Sequence, residues 1–132
     1  MIRFLLDTNV VSELARPRPN PGLSAWLVEE DECGISAVTV EEIRYGLTRG
    51  PHLRVISFME SYLASATTLP VTEQIAHRSG TLRGEFARRG IVRAQPDMFI
   101  AATAQAHGLT LVTRNTRDFE GCGIALLNPF TE

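Results

Sequence analysis

The chain has 132 residues, of which 44% are hydrophobic and 21% are charged, so we expect a single domain over residues 1–132 with one buried core. The net charge of −2 is not that of a typical nucleic-acid-binding protein, and two cysteines, Cys33 and Cys122, are too few for a disulfide framework or a four-cysteine zinc site. No apolar run approaches membrane-spanning length and no signal peptide precedes the first strand, which predicts a cytoplasmic protein with no membrane contact.

Short apolar strands and helices alternate along the first half of the chain. Residues 2–6 are mostly apolar, as in a buried strand, and Asp7-Thr8-Asn9 then supplies residues typical of a helix start. Three prolines and a glycine over 17–22 separate the first helix from the second. The predicted elements are a strand at 2–6, helices at 10–15 and 23–30, a strand at 33–36, and a helix from Thr39 to about Leu47.

The second half repeats this alternation. Apolar residues recur at helical spacing from Leu53 to Leu63, and Gly90 and Gly108 are placed to end two longer helices. The predicted elements are a helix over 53–63, a strand at 69–71, helices at 72–90 and 96–107, and strands at 109–113 and 124–127. This order predicts an α/β fold with a mainly parallel central sheet.

Four acidic residues lie in segments that such a fold can place at its ligand-binding edge: Asp7, Glu42, Asp97 and Asp118. Asp7 and Asp118 each follow a predicted strand, while Glu42 and Asp97 lie in the first turns of helices. In open parallel sheets, ligands bind at the carboxyl ends of the strands. Carboxylates brought together raise one another's pKa and need a cation to stay ionised, and a set of oxygen ligands favours Mg²⁺ or Mn²⁺ over zinc.

Each acid also has a purely structural interpretation. Asp7 is well placed to cap the helix after it, and Thr39 and Glu42 have the spacing of a capping box. Asp97 can complement a helix dipole, and Asp118 can serve as a turn residue. Taken singly, none of the four positions distinguishes structure from function.

Together, the four acids lie in motifs whose order resembles that of PIN-domain nucleases. The motifs are Asp7-Thr8-Asn9-Val10 after the first strand, Ser36 to Ile43 with Gly46, Pro96-Asp97 through Ala104, and Leu111 to Phe119. The ending Leu127-Asn128-Pro129-Phe130 is similar to that of toxin members of the VapC type, in the FitB-like branch. The resemblance spans almost the whole chain.

The resemblance implies a PIN-like α/β/α sandwich and an endoribonuclease that depends on Mg²⁺ or Mn²⁺. Its metal-site acids fall on Asp7, Glu42, Asp97 and Asp118, and its supporting polar positions fall on Asn9, Thr113 and Asn115. It also implies a homodimer that pairs with a small antitoxin protein, which occludes the site and provides any contact with DNA. We expect a metal-activated water to attack the RNA phosphodiester in line, leaving a 5′-phosphate and a 3′-hydroxyl.

Two details of the motifs leave the assignment of ligands open. Pro96 stands where the family usually has a small residue before its acid, which can shift the helix start. Glu41 adjoins Glu42, and we assign Glu42 because it directly precedes the aliphatic Ile43. Arg114 and Arg117 are the preferred ligands for RNA phosphates, within a wider set of candidates that also contains Arg44, Arg49, Arg88, Arg89 and Arg93.

Other classes of protein remain as alternatives. A phospho-acceptor domain can also carry an aspartate and a threonine after a buried strand, but such domains use a lysine and this chain has none. Within the family, the alternatives are a non-catalytic module that acts only through an antitoxin–DNA complex and a nuclease with a housekeeping role. All four acidic positions are filled, which favours the nuclease toxin.

Overall fold

A computed structural model gives the fold of residues 1–29 and 32–132, in which a five-stranded parallel sheet is flanked by helices. The strands are β1 (Phe4–Leu6), β2 (Cys33–Ser36), β3 (Thr68–Leu69), β4 (Thr110–Val112) and β5 (Leu126–Leu127). The helices are α1 (Thr8–Leu14), α2 (Pro21–Glu29), α3 (Ala37–Arg49), α4 (Leu53–Ser65), α5 (Glu73–Arg88) and α6 (Gln95–His107), with a 3₁₀ turn at Thr116–Phe119. The predicted PIN-like α/β/α class is confirmed.

The order of the strands places β1 at the centre of the sheet. The sheet runs β3-β2-β1-β4-β5, and Leu5 of β1 pairs with Gly34 on one side and Leu111 on the other. The chain therefore leaves β1 toward one edge and later returns to build the other edge. Asp7 follows β1 directly, so it lies at the point of the sheet where open α/β folds bind ligands.

The alternation of side chains along β1 divides the core into two clusters. Phe4 and Leu6 pack into one cluster, and Leu5 packs into the other, which contains residues of α5 and α6. Cys33 packs against the first cluster and Cys122 belongs to the second, so the sheet separates their sulfur atoms and no bridge joins them.

Most element boundaries differ from the predictions by one to three residues, and three of these differences have a clear physical cause. The strand predicted at 69–71 lies at Thr68–Leu69, because Pro70 has no N–H to continue the ladder. The second helix begins at Pro21, whose fixed φ suits a first helical position, and the end predicted at residue 30 lies outside the described residues. The third helix begins at Ala37, capped by Ser36, two residues before the predicted start.

No helix in the ranges 1–29 and 32–132 is both long enough and apolar enough to cross a membrane.

Candidate functional site

Asp7 is the buried centre of the site, with only 5% of its surface exposed. It caps α1, because its Oδ1 accepts a 2.7 Å hydrogen bond from the Thr8 amide. Its Oδ2 accepts a 2.8 Å bond from the Thr113 hydroxyl and a 3.3 Å bond from the Asn9 amide group. The capping interpretation is thus correct for one carboxylate oxygen, while polar side chains from two other positions fix the second.

The predicted supporting residues meet around Asp7, but not all with their side chains. The Asn9 amide also lies 3.3 Å from the Thr113 hydroxyl, and Thr113 is fully buried. Asn115 is exposed, and its backbone N–H donates to the Thr113 hydroxyl at 3.0 Å. Asn9 and Thr113 therefore act through side chains, and Asn115 contributes through its backbone.

Glu42 reaches the site from α3 and is held by Thr8. The Thr8 hydroxyl donates a 2.6 Å hydrogen bond to Glu42 Oε1, and Thr39 lies 3.0 Å from the same hydroxyl. The capping-box interpretation of Glu42 is wrong, because Ser36 caps α3 through the Val38 amide and puts Glu42 in the second turn. Glu41 is exposed, and it lines a separate surface hollow.

Asp97 lies half-buried in the first turn of α6, which begins at Gln95 with Pro96 as its second residue. Burial is the main cause that raises the pKa of Asp97 to about 6, and the charges of Asp7, Asp118 and Glu42 raise it further. The pKa of Asp7 is also raised, first by burial, although its bonds from Thr113 and Thr8 oppose this. The negative charges of Glu42 and Asp118 raise the pKa of Asp7 further.

These pKa shifts show that the four predicted acids share one electrostatic environment. Asp118 is exposed on the 3₁₀ turn, where its amide donates to the Asn115 carbonyl at 3.0 Å. Among the described residues, no three histidine, cysteine or acidic side chains are already gathered closely enough to form a metal site. Mg²⁺ keeps several waters and takes one or two carboxylates, so a spaced set of oxygen ligands fits this ion.

The arginines near the acids differ in position and exposure. A cavity of about 430 Å³ beside the acids is lined by Asp97, Asp118, Arg93 and Arg117. Arg117 is exposed there, whereas the guanidinium of Arg114 lies 5.0 Å from the ring centre of Phe130. The charge of Arg93 lowers the pKa of Asp97, against the larger raising effects.

Two contacts of the site were not predicted from the sequence. Thr8 appeared only as a helix-start residue, although its hydroxyl fixes Glu42. Arg93 stood among several candidate arginines, without a sign that it borders the acids. The position of Thr8 directly after a strand-end aspartate is the one signal that could have indicated the first contact.

Comparison with known proteins agrees with this geometry. The sequence profile of the PIN domain matches residues 4–122. The chain is 37% identical to "Toxin FitB" of Neisseria gonorrhoeae, over 96% of this chain and 98% of that protein. It is 32% identical to "VapC ribonuclease Y4jK" of Sinorhizobium fredii, over 96% of this chain and 97% of that protein.

A solved structure is similar over nearly the same length. It is the DNA-bound VapBC of Salmonella typhimurium, which matches with a TM-score of 0.81 and 30% identity and covers 96% of this chain and 98% of that one. The profile and these relatives cover the segments that carry all four acids.

Proposed function

This chain belongs to the PIN-domain family, and from that premise we propose that it is a metal-dependent endoribonuclease of the VapC type, the toxin of a toxin–antitoxin pair acting in the cytoplasm. The observation that carries the proposal is the shared electrostatic environment of Asp7, Glu42, Asp97 and Asp118, which raises the pKa of Asp7 and of Asp97. Repulsion of this kind is relieved when a cation binds.

The four acids are the proposed ligands of Mg²⁺ or Mn²⁺, with Asp7 and Asp97 as the principal ones. When bound, such an ion lowers the pKa of a water and stabilises charge on the phosphate under in-line attack. The protein's own part is positioning: Thr113 and Asn9 fix the Asp7 carboxylate, and Thr8 fixes Glu42. Asp7 and Glu42 thus keep their orientation through neutral partners, and no ion pair joins either of them to an arginine among the described residues.

The proposed substrate is single-stranded RNA. The cavity beside Asp97 and Asp118 is open and about 430 Å³ in volume, so an unstacked nucleotide can reach it, whereas a duplex holds its phosphates farther from a shallow site. Arg117 is the exposed guanidinium at this cavity and is the preferred phosphate ligand, since a guanidinium matches phosphate oxygens in pairs. Arg114 is a second candidate at the edge of the site.

The chemistry of the product ends tests the proposed reaction. We expect the purified chain, incubated with a single-stranded RNA and Mg²⁺, to leave a 5′-phosphate and a 3′-hydroxyl, as attack by water requires. Mass spectrometry of the fragments distinguishes these ends. Fragments with a 2′,3′-cyclic phosphate would contradict the proposal, because they arise when the RNA's own 2′-hydroxyl is the nucleophile.

An apolar groove next to Glu42 is the proposed docking site of the antitoxin. It lies between α1, α3 and α4 and has a volume of about 540 Å³. Its lining includes Thr8, Glu42, Leu47, Val55 and Met59. A partner segment seated in this groove covers Glu42 and so blocks the site. Arg16, Arg49 and Arg54 also line it, which suits a partner that carries acidic residues beside apolar ones.

Two further features belong to the proposal. We expect a homodimer, with the α4 helix as its candidate contact because Leu53 is 83% exposed there.

A role in a DNA-bound complex with the antitoxin is the second candidate function, favoured by the DNA-bound VapBC relative. In that role the antitoxin, and not this chain, makes the contacts to DNA.

A further inference from the structure

We propose that Arg93 is a positioning residue, which holds the 3₁₀ turn that carries Asp118 against the start of α6, so that Asp118 faces Asp97. The inference concerns the arrangement of two acids and rests on the proposed function only where it concerns RNA cleavage. Arg93 lies four residues before Asp97, in the segment that leads into α6.

The guanidinium of Arg93 is hydrogen bonded to both flanks of Asp118. Nη1 donates to the Arg117 carbonyl at 3.0 Å, and Nη2 donates to the Glu120 carbonyl at 2.9 Å. These carbonyls belong to the residue before Asp118 and the second residue after it. Two bonds from one planar group to two carbonyls fix both the distance and the orientation of the turn.

The aromatic ring of Phe86 also contacts the Arg93 guanidinium. The Arg93 guanidinium lies 4.3 Å from the ring centre of Phe86, a buried residue of α5. Arg93 therefore links the α5 core, the start of α6 and the 3₁₀ turn. Within its own chain segment, the turn is also held by three backbone bonds: Asp118 amide to Asn115 at 3.0 Å, Cys122 amide to Phe119 at 3.2 Å, and a long 3.4 Å bond from the Glu120 amide to Arg117.

The Nε atom of Arg93 indicates that stability alone does not explain why the guanidinium is held between the turn and Phe86. This Nε is buried and has no hydrogen-bond partner among the residues that the structure describes. Buried polar groups without partners are rare and destabilising, and they concentrate where function fixes a side chain in one place. One N–H of each Nη atom is already donated to the turn, and the preferred phosphate ligand remains the exposed Arg117.

The chain supplies a matched control for the experiment. Arg89 also lies over the Phe86 ring, at 4.8 Å, but no hydrogen bond ties it to the turn in the described structure. We would compare Arg93→Met, Arg93→Lys and Arg89→Met by amide hydrogen exchange over residues 115–122, without metal or RNA. This measurement decides the role of Arg93 whether or not the chain proves to be a nuclease.

We expect exchange over residues 115–122 to quicken by about tenfold or more in Arg93→Met and to stay unchanged in Arg89→Met. Arg93→Lys should also exchange faster than wild type, because an ammonium cannot reproduce the planar fork. Lysine keeps the charge and most of the volume, so this variant tests the proposal if Arg93→Met fails to fold. Unchanged exchange in a folded Arg93 variant would overturn the proposal.

Kinetics on RNA give the second readout. Misplacing Asp118 should lower kcat by about 10- to 100-fold in Arg93→Met while KM changes less than about threefold. Arg83→Met, which changes an exposed arginine of α5 that does not line the cavity, should keep both values. A raised KM with unchanged kcat would show that Arg93 contacts substrate instead. Full recovery of kcat in Arg93→Lys would show that charge suffices, which also contradicts the positioning role.

Discussion

At the scale of single residues, neutral groups orient two acids of the site, Asp7 and Glu42. The Thr113 hydroxyl and the Asn9 amide bond to Asp7, and the Thr8 hydroxyl bonds to Glu42. A hydroxyl fixes a carboxylate without neutralising its charge, so the negative potential stays available for a cation. An arginine in the same place would compete with that cation.

The Thr8 hydroxyl gives the first prediction. Thr8→Val keeps the shape of the side chain but removes the bond to Glu42, so we expect kcat for RNA cleavage to fall by about tenfold. The free energy of unfolding should drop by only about 1 kcal/mol, the typical worth of one hydrogen bond. Thr48→Val is the matched control, because the Thr48 hydroxyl bonds to a carbonyl in an exposed part of α3. Equal kinetics in both variants would contradict the role of Thr8.

Asp97 gives the second prediction, on stability in metal-free buffer with EDTA. Its pKa in the folded state is about 6, against 3.8 for the free group, so the unfolded chain loses this proton first as pH rises. The stability associated with protonated Asp97 is therefore present below about pH 4 and is lost as pH rises through about 6. Asp97→Asn should remove this loss. The difference in the free energy of unfolding between Asp97→Asn and wild type should therefore grow by about 1 kcal/mol as pH rises from about 4 to 7, a value that allows for solvent screening at a half-exposed group.

Urea denaturation at several pH values measures this difference. Added Mg²⁺ should reduce the advantage of Asp97→Asn, because a bound cation relieves the repulsion that the substitution removes. An advantage that stays constant between about pH 4 and pH 7 would contradict the raised pKa of Asp97.

At the scale of elements, the sequence predicted most of the sheet and the start of α4 at Leu53, but not the starts of the other helices. β2 was predicted correctly at 33–36, because a short apolar run between turn signals has few alternatives. The start of α3 was wrong because Ser36 and Thr39 are both good capping residues, and only the tertiary structure decides between them. The Thr8–Glu42 bond depends on how α1 and α3 pack, which periodicity along one chain does not reveal.

The start of α3 gives the third prediction. Ser36→Ala removes the cap on the Val38 amide, so we expect the free energy of unfolding to fall by about 1 to 2 kcal/mol. Glu42→Gln should lower the free energy of unfolding by less, because Glu42 caps no helix. This variant should instead impair RNA cleavage. Thermal or urea denaturation of the two variants makes the comparison. A larger loss of stability in Glu42→Gln would restore the capping-box interpretation.

At the scale of the whole molecule, the topology brings together acids that are distant in sequence. Because β1 lies between β2 and β4 and all strands are parallel, the segments after β1, β2 and β4 emerge at one edge of the sheet. The proposed site and the proposed antitoxin groove meet at that edge, at Thr8 and Glu42. Inhibition by a partner then needs no conformational change, since an occupant of the groove covers Glu42 directly.

The groove gives the fourth prediction. Gly46 lines it, and a Cβ added at this position would meet nothing within 4 Å, so we expect Gly46→Leu to fill part of the groove and to leave the fold intact. We expect binding of the cognate antitoxin, measured by calorimetry, to weaken by about 10- to 100-fold. Gly84→Leu is the control, since Gly84 is also helical and open but lies on α5, away from the groove. Unchanged binding in Gly46→Leu would place the antitoxin elsewhere.

The most direct test of the central claim is the rate of cleavage of cellular RNA by the purified chain in Mg²⁺, compared with EDTA and with two variants. We expect a discrete RNA to be cleaved, and we expect EDTA or Asp97→Asn to lower the rate by about 100-fold or more. Glu41→Gln, which changes an exposed acid beside Glu42, should keep the wild-type rate. Cleavage that survives EDTA and Asp97→Asn, or a folded chain that cleaves no RNA, would contradict a metal-dependent ribonuclease built on these carboxylates.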